Sequence, residues 1–386
     1  MDEPYLVPDY FPSFSCKMGA CRRPCCEGWP ISVTMKDYFH LLSVPCSPEL
    51  RRKLDCALHL APHPTEDAYA QILPRYDGVC PLHLPDGRCA LHAECGDGVL
   101  AAVCRLYPRG VRNGEDRECS CANSCEGVVE LLLHHDAPMT FVPLRREFGV
   151  PPAPPRQHHF HVGQNGQQLR LWLISHLQER SMPLAQRMLR LGAALHALDD
   201  ALQDRAEGRI AALLSGQAEL DMPLLTIPGQ DELSGGLTVM AHMLDTLDRD
   251  SSSIRAYGES ALAYFRQGSA FEQYGRACER FAAAVPQWET WFEQLLVNHM
   301  FFVQFPFQDR PVTLPDEYLS LCAIYMLLRF LLLGCMAEDE SVTHAVDVAA
   351  AAFRLIDHTE FDRYAGPLLR ELGLHDLDRM QVLLAL

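Results

Sequence analysis

A chain of 386 residues with 48% hydrophobic composition can bury two or three cores without covalent staples. Fifty acidic residues against 33 Lys and Arg leave a formal charge of -17 and a pI near 5.4. That balance argues against a nucleic-acid binder, which needs basic patches to neutralise phosphate, and suits a basic partner surface.

The first residues, Met1-Asp2-Glu3-Pro4-Tyr5, carry neither the basic run nor the apolar stretch of a signal peptide, so a reducing, cytoplasmic setting is expected. Residues 1–133 form a cysteine-rich part with many loop signals, such as Pro45-Cys46-Ser47-Pro48 and Pro85-Asp86-Gly87-Arg88. Two helices are predicted within it. One runs from Met35 to Leu42 behind Thr34 as N-cap, the other from Ser124 to His134 on the apolar spacing Val128, Val129, Leu131, Leu132.

Residues 134–164 hold six prolines and read as a linker or surface loop. His134, His135, His158, His159 and His161 lie there and read as solvated side chains before metal ligands. From Gln167 the spacing turns helical, over Leu169–Ile174, Leu184–Leu202, Gly235–Asp248, Tyr257–Phe281, Trp288–Phe302, Pro315–Met336 and Thr343–Ile356. Leu319–Ala337 approaches the length of a membrane span, but Arg329 at its middle would cost roughly 2.5–3.5 kcal/mol to insert, and both flanks are acidic. A buried core helix is expected there. The predicted fold is mainly α: a cysteine-rich metal-binding domain over 1–133, a Pro/His-rich linker over 134–164 and a helical domain over 165–386.

Thirteen of the sixteen cysteines fall in the first 125 residues. They group as Cys16, Cys21, Cys25, Cys26; Cys80, Cys89, Cys95; Cys104; and Cys119, Cys121, Cys125. A disulfide framework belongs to small secreted domains, so thiolates crowded in a chain this long point to zinc or an iron–sulfur cluster. The adjacent pair Cys25-Cys26 cannot easily serve one ion. It implies two sites, or one ligand beside a reactive or packing thiol. The spacing is neither that of a zinc finger nor the complete C-x3-C-x2-C triplet of common radical adenosylmethionine enzymes. Cys46 and Cys56, and Cys278, Cys322 and Cys335 in the helical half, read as packing residues.

Around these cysteines the chain resembles the flagellin lysine-N-methylase family. The motifs are Pro8-Asp-Tyr-Phe-Pro-Ser-Phe-Ser-Cys16, Cys21-x3-Cys25-Cys26-Glu-Gly-Trp29-Pro-Ile31, Cys80-Pro-Leu with Cys89, Cys104-Arg105-Leu-Tyr107-Pro108-Arg109 and Ser124-Cys125-Glu126. Phe292-Glu293-x3-Val297-Asn298-His-x-Phe-Phe with Phe305-Pro-Phe307 continues the likeness in the second half. The resemblance implies S-adenosylmethionine-dependent methylation of lysine side chains on flagellin or another lysine-presenting protein. It further implies a cluster, 4Fe-4S with zinc as the alternative, on Cys16, Cys21, Cys25, Cys26, Cys80, Cys89, Cys104 and Cys125. Cys119 and Cys121 are additions to that pattern. A structural metal module and a redox or cluster carrier are the rival readings.

Methyl transfer to lysine needs loss of the ammonium proton, alignment of amine and methyl, and exclusion of water. Tyr107, Glu293 and Asn298 are the expected catalytic groups, and Trp29, Arg105 and Arg109 the expected cofactor contacts. No G-x-G-x-x-G fingerprint is present, so the cofactor site is expected to be unconventional, with a cluster binding or activating the adenosylmethionine.

Overall fold

The computed structural model describes residues 4–114, 116–152, 166–247, 254–308 and 312–385, and over these the fold is mainly helical. The chain opens with strand β1 (Tyr5–Pro8), whose Tyr5 and Val7 point into the interior. A long irregular loop leads to β2 (Ile31–Val33). Helix α1 (Met35–Ser43) starts where Thr34 accepts a hydrogen bond from the Asp37 N–H, as predicted. Ser47 caps α2 (Pro48–Ala57) in the same way, with Pro48 at the first helical position. Strands β3 (Leu58–Leu60) and β4 (Ala70–Ile72) complete an antiparallel sheet of order β2-β4-β3. Val33, Leu41, Leu54, Ala70 and Leu91 bury between this sheet and its helices as a small separate core.

Two short helices follow, α3 (Ala90–Cys95) and α4 (Ala102–Leu106), then the hairpin β5 (Arg109–Asn113) and β6 (Arg117–Cys121). Helix α5 (Glu126–Leu133) and strand β7 (Phe141–Leu144) come next. β1 pairs in parallel with β6 and antiparallel with β7, giving the order β5-β6-β1-β7. Part of the expected linker is therefore a sheet strand; residues 153–165, with His158, His159 and His161, lie outside the described residues.

The second half is α6 (Gly166–Leu177), α7 (Leu184–Gln203), α8 (Glu207–Leu214), α9 (Gln230–Leu247), α10 (Arg255–Phe265) and α11 (Ala270–Ala284), then α12 (Trp288–Val303), α13 (Leu314–Cys335), α14 (Val342–His358), α15 (Phe361–Glu371) and α16 (Leu377–Leu384). The single helix expected over Tyr257–Phe281 is two, because Gly268 takes a φ of 77° and turns the chain. Helix α13 is long and apolar enough to cross a membrane, yet almost every residue of it is buried inside the protein. Its Arg329 is accommodated by the Trp288 ring, 4.5 Å from the guanidinium carbon, and by the Tyr274 hydroxyl at 3.1 Å.

One large core joins these helices to the first strands: Val7, Phe11, Cys119, Cys121, Val128 and Leu132 pack with Leu173, Trp291, Leu295 and Phe301. The division between the two cores thus does not follow the order of the chain. Residues 31–101 enclose the small core, while residues 5–14 and 119–148 belong with the helices. Buried ion pairs brace this junction. Arg170 of α6 grips Glu118 of β6 through two bonds of 3.0 and 2.9 Å.

Candidate functional site

The loop 14–30 has little regular structure of its own, and its shape is set by what grips it. The Glu126 carboxylate, in the first turn of α5, accepts from Lys17 Nζ at 2.9 Å and from the backbone N–H groups of Arg22 and Arg23 at 3.0 and 3.1 Å. From α14, Arg354 donates to the Arg23 and Pro24 carbonyls at 2.7 and 3.3 Å, and Asp347 accepts from Arg22 Nε at 2.8 Å. This ties Cys21, Cys25 and Cys26 to two helices of the large core.

The second cysteine segment is zipped to the same loop. Cys80 N–H donates to the Cys26 carbonyl at 2.8 Å, and Gly28 N–H to the Gly78 carbonyl at 2.8 Å. Gly19 and Gly87 touch backbone to backbone, so that a Cβ built on Gly87 would lie 2.0 Å from the Gly19 carbonyl oxygen. Both adopt positive φ, and only glycine permits this crossing. Cys89 sits at the foot of the turn through its bridge to His83. Cys104 lies on α4, and Cys125 caps α5.

All eight thiols expected as ligands therefore belong to one neighbourhood, and seven of them appear in one another's electrostatic surroundings. Burial, then Glu126, Cys125, Cys16 and Cys25, push Cys21 up to about 12. Burial pushes Cys80 to about 11, with Cys89 and Cys25 adding to it, and Cys125 to about 11, with Cys25 and Cys16 adding. Cys104 is raised by burial and by Cys89, Cys25 and Cys80. Cys26 joins the group through its bond to Cys25, the largest cause of the upward shift there. Cys25 and Cys104 nevertheless have open surface.

Among the described residues no three Cys, His, Asp or Glu side chains converge closely enough to hold a single metal ion. The surroundings still have the chemistry of ligating sulfur. Turn N–H groups of Gly127 and Val128 point at the Cys125 sulfur, those of Leu91 and His92 at Cys89, and that of Leu82 at Cys80. Such bonds favour thiolate, and hydrogen bonds to the sulfurs are one of the means by which proteins tune clusters. A bound cation would offset the mutual repulsion that keeps these thiols protonated, so its binding would release their protons.

Beside the thiols stands a polar and aromatic group that joins the two halves of the chain. The Trp29 ring is 4.7 Å from the His358 ring and 6.4 Å from that of Tyr107, and the Arg354 guanidinium lies 5.3 Å from Trp29. Tyr107 and Ser124 share a hydrogen bond of 3.1 Å, and Ser124 Oγ lies 2.8 Å from His358 Nε2. The Ser124 N–H donates to Asp357, whose other oxygen meets His299 Nδ1 at 3.2 Å; His299 Nε2 faces Asp362 at 3.5 Å. Between two carboxylates His299 is raised to about 10 despite its burial, which favours its charged form.

The structure thus brings Trp29 and Tyr107 together with the eight cysteines. Glu293 and Asn298 stand apart on α12. Glu293 is wholly buried and is clamped by Arg180 at 2.8 Å and Arg187 at 2.5 Å, so it has no face toward an entering amine. Asn298 accepts from the Tyr10 hydroxyl at 2.7 Å and donates to the Cys121 carbonyl and to Asn123, a strut between α12 and β6. Both sequence assignments give way to bracing roles. Arg109 lies 5.0 Å from the Phe14 ring and Arg105 is on the surface. Cys119 and Cys121 are fully buried in the large core, Cys322 and Cys335 are likewise packing residues, and Cys56, expected to pack, is exposed.

Sequence reasoning missed His358, Arg354, Asp357 and His299. A lone histidine at the end of a helix has no spacing to give it away. What pointed to this corner was Trp29, Tyr107 and the Ser124 motif, with His299 standing in the Asn298-His motif without an assigned role.

Residues 170–383 match the family described as FliB lysine N-methylase C-terminal domain, a span that runs from α6 into α16 and includes Arg354, Asp357 and His358. No curated protein and no solved structure matches the chain.

Proposed function

The chain belongs to the FliB lysine N-methylase family and is a protein-lysine N-methyltransferase, and we propose that it methylates lysines of flagellin, using S-adenosylmethionine and an iron–sulfur cluster held by its own thiols. The observation that carries this reading is the gathering of eight thiols in one region, next to aromatic and imidazole side chains from both halves of the chain. Eight thiols in one region are more than the four a lone zinc ion takes, and suit a polynuclear cluster better.

Cys16, Cys21, Cys25, Cys26, Cys80, Cys89, Cys104 and Cys125 would supply the ligands. When bound, a cluster supplies a Lewis-acidic anchor for the methyl donor. The protein does the rest. The Trp29 and Tyr107 faces offer cation–π surface to a sulfonium or a methylammonium, and Arg354 holds both Trp29 and the Cys25 loop in place. A reducing cytoplasm keeps the thiols free for metal, and the net charge of -17 favours a lysine-bearing partner.

Anaerobic purification with an ultraviolet–visible spectrum and iron, sulfide and zinc analysis tests this. A brown protein with matching iron and sulfide, which then transfers labelled methyl from S-adenosylmethionine to flagellin, is the expected result. A colourless protein with stoichiometric zinc would make the thiol group structural.

A further inference from the structure

We propose that His358 is the group that takes the proton from the substrate lysine, held in position for it by Ser124 and Tyr107. The inference rests on the reading above only in placing the methyl donor beside the thiols. Lysine enters any protein surface as an ammonium, and an ammonium has no lone pair with which to attack. That proton needs somewhere to go, and an acceptor within hydrogen-bond reach of the amine provides it at the moment of transfer.

His358 is the last residue of α14 and has open surface, at the edge where α14 meets the cysteine loop. Its ring packs beside Trp29 at 4.7 Å and Tyr107 at 5.9 Å, so a lysine chain entering along these rings would bring its amine to the imidazole. Nε2 is taken by Ser124 Oγ at 2.8 Å, and Ser124 in turn meets the Tyr107 hydroxyl at 3.1 Å. With the proton on Nε2 donated to Ser124, and the Ser124 hydroxyl donated to Tyr107, the lone pair sits on Nδ1. Among the described residues nothing bonds that nitrogen. The hydrogen bond of one ring nitrogen sets the task of the other.

Ser124 is itself held at both ends, since Asp357 accepts from its N–H at 3.2 Å and is anchored by His299. Partial desolvation by the packed rings and the nearby Arg354 shift the His358 imidazole downward from its ordinary range, against the opposing pull of Asp357, which favours the neutral, proton-accepting ring. Glu293, the carboxylate in the sequence motif, is enclosed by two arginines.

The step balances. A proton passes from the lysine ammonium to His358 Nδ1, and the freed lone pair attacks the methyl carbon of the sulfonium. The new N–C bond forms as the C–S bond breaks, and its electron pair stays on sulfur as a neutral thioether. The imidazolium returns its proton to water through its open edge.

The test compares wild type with His358→Gln and His358→Ala, each carrying its metal, using flagellin and labelled S-adenosylmethionine. His358→Gln is expected to lower kcat about a hundredfold or more. Its KM for flagellin, and its flagellin affinity by calorimetry, should stay within about threefold of wild type. Added imidazole should restore part of the kcat of His358→Ala. A His358→Gln kcat within about threefold of wild type overturns the proposal, as does a loss that resides wholly in KM. If the glutamine variant loses iron or secondary structure, the imidazole experiment on the folded fraction of the alanine variant decides, and failure to restore turnover rejects His358. A wild-type protein that moves no methyl group defeats the cofactor reading instead.

Discussion

Glu293 shows what a buried charge in this protein is for. Its carboxylate has no exposed surface and is bound by two guanidinium groups, Arg180 of the turn before α7 and Arg187 of α7, the second also buried. Desolvating three charges is costly, and their mutual attraction offsets it only while all three are present. Removing the carboxylate leaves Arg187 buried without its counter-ion. Glu293→Ala is therefore expected to cost about 3–5 kcal/mol in stability, by chemical denaturation. The clamp would prove dispensable if the loss stayed below about 1 kcal/mol. The same motif, Phe292-Glu293, had suggested catalysis, and nothing in the sequence could separate the two roles, because both arginines lie more than a hundred residues away. The crowded thiols were legible for the opposite reason: cysteine density is local.

At the scale of elements, capping residues and apolar spacing made α1, α7, α12, α13 and α14 readable to within a few residues. The strands were not. They are three to five residues long, and β1 finds its partners more than a hundred residues downstream in β6 and β7. No short window carries such pairing. Among the helices not expected, α2, α8 and α16 are only eight to ten residues long, and α15 carries Pro367 inside it. What holds α12, α14 and α15 together is the charged group Asp357–His299–Asp362, and it makes a pH prediction. Burial opposes the charge on His299, but the two carboxylates outweigh it and raise the pKa from the ordinary 6.5 to about 10. A group with a raised folded-state pKa contributes all its stability below its unfolded value and loses it as pH climbs to the folded one. The difference in stability between wild type and His299→Gln should thus be largest below about pH 6.5 and shrink toward pH 10. A difference constant across that window would show that His299 is uncharged in the folded protein.

At the scale of the whole molecule, the two cores meet through the cysteine segments. The small core around Leu41 and Leu54 is joined to the large one by the loop 14–30, by the crossing of Gly19 and Gly87, and by α4. Four of the eight thiols, Cys16, Cys21, Cys25 and Cys26, lie on that loop; Cys80, Cys89 and Cys104 lie on the small-core side, and Cys125 heads a helix of the large core. A cluster bound among them would cross-link the two cores, and its binding free energy would add to the stability of the junction rather than to that of either core. Stripping it with a chelator under reducing conditions should leave the helical core folded, since more than 70 buried apolar residues hold it without any thiol on the loop. The loop and the segment 78–106 should loosen first. Hydrogen exchange of the stripped protein is expected to rise in residues 16–30 and 78–106 while α12, α13 and α14 stay protected. If the helices lost protection in step with the loop, the two cores would be a single cooperative unit, and the thiol region would be part of the foundation on which the helices fold.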